Sequence, residues 1–154
     1  MARFNARNRS TEVVRSDQKA LWAALTDPDL LPALTPYLHS IEVDGDRWRW
    51  NMARIPVLGL SVAPSFTERM TFEEPRRIGF THDPESDQEK AGVEGTYLLE
   101  GGDGGTRLSI DIDICVDLPL PAVSRAAVER AMRGVIAVMG RRFAANLLRH
   151  LSDG

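Results

Sequence analysis

Apolar and polar residues alternate along much of the chain. The clearest alternation runs from Leu108 to Val116, where every second residue is leucine, isoleucine or valine. A period of two predicts a strand with one buried and one solvated face. The same pattern predicts a first strand within Ala2–Val14 and further strands between Tyr37 and Glu100. Because polar or glycine-containing turns separate most of these segments, the pattern predicts about seven antiparallel strands.

Two other regions show helical spacing instead. The stretch LWAALTDPDLLPALTPYL, Leu21–Leu38, contains two short amphipathic runs, each followed by a proline that the interior of a helix does not tolerate. It predicts short helices over residues 17–26 and 29–34. From Ala122 to Leu151 apolar residues recur at steps of three and four, which predicts one helix about 45 Å long.

These elements predict a single α+β domain over residues 1–154. A curved antiparallel sheet with one apolar face needs a cover, and the long C-terminal helix with its apolar stripe provides one. We therefore expect the sheet to wrap around that helix. The two short helices that follow the first strand would close one end of the curl.

Composition narrows the possible functions. The formal net charge of −3 argues against a nucleic-acid partner. The single cysteine, Cys115, excludes an internal disulfide, and no HxH, HExxH or CxxC spacing occurs, so we expect no metal and no cofactor. Asp111, Asp113 and Asp117 lie on the polar side of a strand, and we interpret them as solvated.

The sequence also bears on location. No apolar run approaches the ~20 residues of a membrane-spanning helix, and the N-terminal segment has no apolar signal-peptide core. Arg3, Arg7 and Arg9 are compatible with a transit peptide, but the alternation around them favours a first strand. We expect a cytoplasmic protein.

Three segments together resemble the START-like (SRPBCC) superfamily, the helix-grip group of polyketide cyclases/dehydrases and lipid-transport proteins. They are LWAALTDPDLLPALTPYLHSIEV (Leu21–Val43), RMTFEEPRRIGF (Arg69–Phe80) and EGTYLLEGGDGGTRLSIDID (Glu94–Asp113). The order of elements resembles that group over essentially the whole chain, although Leu34 stands where tryptophan or phenylalanine is frequent. The resemblance implies the helix-grip fold and a ligand between the sheet and the long helix. It implies no particular activity, because the matching motifs are structural.

The alternation then names the residues that would face such a cavity. From the strands and the helix they are Trp48, Trp50, Met52, Phe66, Glu68, Met70, Phe80, His82, Tyr97, Leu99, Ile110, Ile112, Val128, Met132, Val135, Ile136, Met139 and Phe143. The set is mostly apolar with a few polar atoms, which is typical of small-molecule pockets. The alternative is that these side chains pack against one another as a solid core.

Three polar residues in this set carry the candidate chemistry. Glu68 is in register with apolar neighbours and would point inward, either as a polar anchor or weak candidate for a general acid/base, or as one half of an ion pair with Arg54. A bulge could also turn it outward. Tyr97 could hydrogen-bond a ligand or extend its hydroxyl to water. His82 could orient a ligand or act in catalysis, or it could be structural or lie at the surface.

Two apolar segments fall where loops are expected. Ile55–Leu60 and Leu118–Pro121 could gate the cavity or make transient contact with a membrane or a protein partner, or they could fold onto the core. Gly134 and Gly140 interrupt the long helix, where they could leave room for a ligand, permit a bend or allow a close approach to a strand.

Three functions remain open from sequence. The first is a non-catalytic binder or carrier of a hydrophobic small molecule such as a lipid, a quinone or a polyketide-like compound. The second is an aromatase/cyclase-type enzyme that moves protons with a polar cavity residue. The third is a protein-interaction module with a filled interior.

Overall fold

The computed structural model describes residues 2–153. Nine strands, two short helices, a 3-10 turn and one long helix follow one another along the chain. Their bounds are β1 Ala2–Val14, α1 Gln18–Leu25, α2 Leu31–Leu34, β2 Leu38–Asp44, β3 Arg47–Met52, β4 Ile55–Val57, β5 Leu60–Val62, β6 Ser65–Glu73, β7 Arg77–His82, β8 Ala91–Gly102, β9 Gly105–Leu118, the 3-10 turn Ala122–Ser124 and α3 Arg125–Asp153.

Seven of the strands form one antiparallel sheet, which confirms the predicted architecture. The order is β1-β9-β8-β7-β6-β3-β2, so the first and last strands of the chain are neighbours. In the β1–β9 pair, Arg3 lies opposite Asp117, Arg7 opposite Asp113 and Arg9 opposite Asp111. The β4–β5 hairpin forms a separate two-stranded sheet.

Helix α1 begins and ends as its sequence predicts. The Asp17 carboxylate caps it by accepting a hydrogen bond from the Ala20 N–H at 2.7 Å. Helix α2 is shorter than the predicted 29–34, because the Asp27 carboxylate accepts hydrogen bonds from the N–H groups of Asp29 and Leu30 and holds that segment as a turn. The Asn146 side chain of α3 donates to the Leu34 carbonyl at 2.9 Å, which ties α2 to the long helix.

Helix α3 is packed at both ends. Near its start, Val128 and Met132 belong to a buried cluster with Phe4 and Leu118. Near its end, Leu147 belongs to a second cluster, which includes the core residues of α1 and α2. The middle of the helix therefore spans the concave face of the sheet between two anchored ends.

The outer face of β1 and β9 carries ion pairs. Arg3 donates to Asp117 at 3.0 Å, and both Arg7 and Arg9 reach Asp111, at 3.0 and 3.5 Å. The aspartates that the sequence suggested were merely solvated are thus paired with arginines. The pairing follows from the β1–β9 register, which brings these arginines to aspartates more than a hundred positions away in the sequence.

Candidate ligand-binding cavity

A cavity of about 290 Å³ lies between the inner face of the sheet and the middle of α3. Leu25 and Leu31 border it, so the short helices close one side, as predicted. Most of the residues that the alternation pointed inward line it: Trp50, Met52, Phe66, Glu68, Met70, Phe80, Tyr97, Ile110, Ile112, Met132, Val135, Ile136, Met139 and Phe143. The interior is therefore not filled by side chains.

Four of the predicted residues lie outside the lining. Trp48 and Leu99 are buried in the cluster beneath the short helices, and Val128 is buried in the cluster at the start of α3. Trp48 packs between two aromatic neighbours, with its ring centroid 6.0 Å from that of Trp50. These three side chains face inward as expected, but they lie where the helices are packed on the sheet.

His82 is the fourth of them. Its ring lies against Gly92, where a Cβ atom would come within 2.8 Å of three ring atoms. Its backbone N–H donates to the Glu94 carboxylate at 3.2 Å. At the end of β7, His82 therefore contacts Gly92 and Glu94 of β8.

Several lining residues were not singled out from the sequence. Ile78, Val93 and Ile114 continue the alternation of strands that were correctly predicted, so their signal was present. Leu25 from α1 and Ile55 and Val57 from the β4–β5 hairpin lie in segments that were expected near the cavity, but their individual places depend on how separate elements dock.

Glu68 is the central polar group of the cavity. The residue is only 2% exposed and lines the cavity, and no hydrogen bond or ion pair of its carboxyl group is found among residues 2–153. The suggested ion pair with Arg54 is absent from this part of the chain. Burial, reinforced by the nearby charge of Glu94, raises the pKa of the Glu68 carboxyl well above its ordinary value of 4.5.

Two further polar groups lie on the same wall. Tyr97 packs edge-on against Phe80, with ring centroids 5.2 Å apart. Burial and the charge of Glu68 raise the pKa of its hydroxyl to about 12, so the hydroxyl stays protonated. Trp50 stacks on Phe66 at 6.2 Å, and its buried Nε1–H has no partner within the described chain. The apolar wall therefore holds a carboxyl, a hydroxyl and an indole N–H, and Asn8, Thr35 and Cys115 also border the cavity.

The two apolar segments are largely folded onto the protein. Ile55 and Val57 are buried beside α3, and Leu118 is 1% exposed. At the hairpin tip Leu58 is 53% exposed with a positive φ of 48°, and beyond Leu118 the side chain of Val123 is 91% exposed. Contact with a membrane or a partner through these segments stays a prediction; Leu58 is the exposed apolar side chain of the first segment, and Val123 lies just beyond the second.

No helix within residues 2–153 is both long and apolar enough to cross a bilayer.

The two glycines of the long helix do not lie close to a strand. A Cβ added to Gly134 or Gly140 would meet no atom within 4 Å. Close approach to a strand is thus not why these glycines are present.

Known structures share this fold. A conserved protein from Geobacillus kaustophilus has 17% sequence identity and a TM-score of 0.76, with 96% of this chain and 95% of that chain covered. A START superfamily protein from Mycobacterium smegmatis has 15% identity and a TM-score of 0.68, covering 96% and 97%. The Zhui aromatase/cyclase from Streptomyces sp. R1128 has 11% identity and a TM-score of 0.68, covering 96% and 94%.

The sequence itself matches a family over nearly all of its length. No curated protein matches the chain. The family profile described as polyketide cyclase/dehydrase and lipid transport matches residues 7–148. The region that it matches begins in β1, takes in the remaining strands and ends near the end of α3, so it includes every element that forms the cavity. The chain therefore belongs to the polyketide cyclase/dehydrase and lipid transport family.

Proposed function

We propose that this protein binds a hydrophobic small molecule in the cavity between the sheet and α3. The observation that carries the proposal is an apolar cavity whose wall holds an unpartnered, 2% exposed carboxyl group. Buried polar groups in proteins are nearly always hydrogen-bonded, and an unpartnered one calls for a specific explanation. A ligand that supplies the missing partner is such an explanation.

The size of the cavity limits the ligand. A cavity of about 150 Å³ lined by apolar side chains is enough to bind benzene. The 290 Å³ found here is about twice that, which suits a body of ~12 non-hydrogen atoms. A fused pair of rings or a short branched chain has this size, and a longer molecule would have to extend beyond the cavity.

The binding mechanism follows from the lining. Ligand atoms that leave water for the apolar wall gain about 25 cal/mol per Å² of buried apolar surface. The side chains of Met52, Met70, Met132 and Met139 are flexible and polarizable, so they can adjust to ligands of different outline. Glu68, Tyr97 and Trp50 would orient the ligand rather than provide most of its affinity.

The test is native mass spectrometry of the purified protein, with organic extraction of any bound molecule. Val135→Trp is designed to fill the cavity from α3, and Val138→Trp on the same helix places the same side chain outside the lining. We expect a co-purifying apolar molecule, or uptake of naphthalene added as a probe, in the wild type and in Val138→Trp but not in Val135→Trp. Equal occupancy in both variants, or none in the wild type after addition of naphthalene, would contradict the proposal.

A second candidate function is an aromatase/cyclase-type reaction, and Glu68 is the observation that favours it. A carboxyl group whose pKa is raised by burial stays protonated in a range where it can act as a general acid. A poly-β-keto chain incubated with wild-type and Glu68→Gln protein tests this function. Turnover by the wild type that Glu68→Gln abolishes would support it, and equal product profiles would remove Glu68 from the role.

A further inference from the structure

The described residues of the cavity wall include one acidic side chain and no basic side chain that could pair with it. Among the described residues that line it, none is lysine, arginine or histidine, and Glu68 is the one carboxylic acid. An anionic ligand placed here would find no cation and would lie beside a second acidic group. Burial of a charge without a partner is strongly unfavourable.

The basic side chains nearest to Glu68 on its own strand and on the neighbouring strands form no ion pair with it within residues 2–153. Arg69, the next residue on β6, faces the opposite side of the sheet and pairs with Asp46 and Asp83 at 2.9 and 3.0 Å. Across the sheet, Glu68 lies opposite Trp48 on β3 and His82 on β7. The His82 ring packs against Gly92 and forms no ion pair with Glu68, and its buried Nδ1 has no hydrogen-bond partner within residues 2–153. The charge that reaches Glu68 from β8 is the negative one of Glu94.

The unpartnered polar groups are instead suited to a neutral acceptor. A protonated carboxyl group, a tyrosine hydroxyl and an indole N–H each donate one hydrogen bond. Glu68, Tyr97 and Trp50 all line the cavity. The buried Trp50 Nε1–H has no acceptor within residues 2–153, and no hydrogen bond from the Glu68 carboxyl or the Tyr97 hydroxyl is found in that part of the chain. A ligand carbonyl oxygen, with two lone pairs, can accept from two of them.

We infer, on the basis of the proposed function, that the cavity selects uncharged ligands carrying a carbonyl acceptor, such as a ketone or an ester, and rejects the corresponding carboxylates. Glu68 donates to the carbonyl oxygen while it is protonated. When Glu68 ionises it loses its proton and repels anions, so the discrimination against carboxylates persists at high pH. The affinity for the ketone falls as pH rises through the pKa of Glu68, whereas the affinity for a hydrocarbon of the same skeleton does not follow this titration.

Three probes of one skeleton separate these effects: 2-acetonaphthone, 2-naphthoate and naphthalene. Binding is measured by equilibrium dialysis with absorbance detection, between pH 5 and 8, on the wild type and on Glu68→Gln and Glu68→Leu. Glutamine keeps a hydrogen-bond donor but does not ionise, and leucine has neither a donor nor an ionisable group. Glu100→Gln, an exposed acid on β8, is the matched control for the loss of one negative charge.

We expect the wild type to bind 2-acetonaphthone at least about ten-fold more tightly than 2-naphthoate. Glu68→Leu should reduce the preference for the ketone over naphthalene by roughly three- to ten-fold, since one hydrogen bond is lost. Glu68→Gln should keep that preference and lose its pH dependence, and Glu100→Gln should behave as the wild type.

Other results overturn the inference in distinguishable ways. If 2-naphthoate binds as tightly as 2-acetonaphthone while naphthalene also binds, the cavity binds apolar molecules but the selectivity is wrong. If the ketone preference survives in Glu68→Leu, Glu68 is not the donor and the inference fails. If none of the three probes binds, the proposed function fails and the selectivity fails with it.

Discussion

The two faces of the sheet hold carboxyl groups in opposite surroundings. On the outer face Asp117 accepts hydrogen bonds from Arg3 and Asp111 from Arg7, and these contacts lower the pKa of both aspartates. On the inner face Glu68 has no cation, and burial raises its pKa. The same functional group is thus held charged and paired on one side of the sheet, and neutral and unpartnered on the other.

The comparison shows what an unpaired acid implies. Where the strands bring arginine and aspartate together, as in the β1–β9 register, the two side chains form ion pairs. Replacing a buried ionisable group by an apolar one of similar size is often neutral or stabilising. An acid held in an apolar cavity without a partner is therefore better explained by the ligand than by stability of the fold.

The largest expected effect comes from Glu68→Gln. Because the folded protein keeps a proton on Glu68 that the unfolded chain releases above about pH 4.5, this residue makes the free energy of unfolding fall as pH rises from there toward the folded-state pKa. The slope is about −1.4 kcal/mol per pH unit. Glu68→Gln lacks this term, so its stability relative to the wild type should increase with pH in urea denaturation series between pH 4 and 8.

The control for that series is Glu100→Gln, which retains Glu68 and should keep the decline of the wild type. Parallel stability curves for the wild type and Glu68→Gln would show that Glu68 titrates alike in the folded and unfolded states. The contrast between the two faces of the sheet would then be lost.

Leu58→Asn tests the hairpin that borders the cavity, where buried and exposed apolar side chains lie next to one another. Ile55 and Val57 of the hairpin are buried, but Leu58 at its tip is exposed and left-handed, with φ at 48°. A left-handed conformation costs most residues roughly 1–2 kcal/mol, and asparagine tolerates it better. We expect Leu58→Asn to raise the free energy of unfolding by about 1 kcal/mol, whereas Leu58→Ala should not gain; a loss in Leu58→Asn would assign the side chain a packing role.

The two glycines of α3 form a matched pair of test positions, one beside the cavity and one away from it. Both Gly134 and Gly140 have open space where a Cβ would lie, but only Gly140 borders the cavity. Replacing either with alanine should stabilise the helix by about 1 kcal/mol. We expect Gly140→Ala alone to weaken naphthalene binding in dialysis, and equal binding by both variants would show that Gly140 provides no ligand space.

The smallest effect is expected from Asp117→Asn on the outer face. Its partner Arg3 is largely exposed, and pairs at the surface contribute about 0.2–1 kcal/mol. The lowered pKa means that this contribution is present at neutral pH and is lost as pH falls through the folded-state pKa, opposite in sign to Glu68. The urea midpoint of the wild type should differ between low and high salt, and that of Asp117→Asn should be the same in both. If the variant loses several kcal/mol of unfolding free energy, the Arg3–Asp117 pair does not behave as a surface ion pair.

Much of this contrast could be read from the sequence. Period two predicted the seven strands and pointed Glu68 inward, and the helical spacing predicted α3 with Met132, Met139 and Phe143 on the cavity side. These features are local, because the side chain's direction follows from the period of its own element. Trp48, Leu99 and Val128 face inward but lie beside the cavity rather than in its lining, because a period gives the face of a strand or helix and not the place along it where another element packs.

Contacts between distant segments were beyond the sequence pattern. The pairing of Arg3 with Asp117 depends on a register between the first and last strands, and the burial of Ile55 depends on where a short hairpin folds against α3. The isolation of Glu68 is of the same kind, since Arg54 and Arg69 are both near it in sequence but neither pairs with it. Such facts follow only from the assembled tertiary structure.

The most direct test of the account is a ¹³C NMR titration of the carboxyl carbons, with the Glu68 signal assigned by its loss in Glu68→Gln. We expect a Glu68 midpoint well above 4.5 and midpoints for Asp111 and Asp117 below 3.8 in the same sample. A Glu68 midpoint at or below 4.5 would contradict it, because the cavity would then hold a charged and stabilised carboxylate rather than a neutral donor.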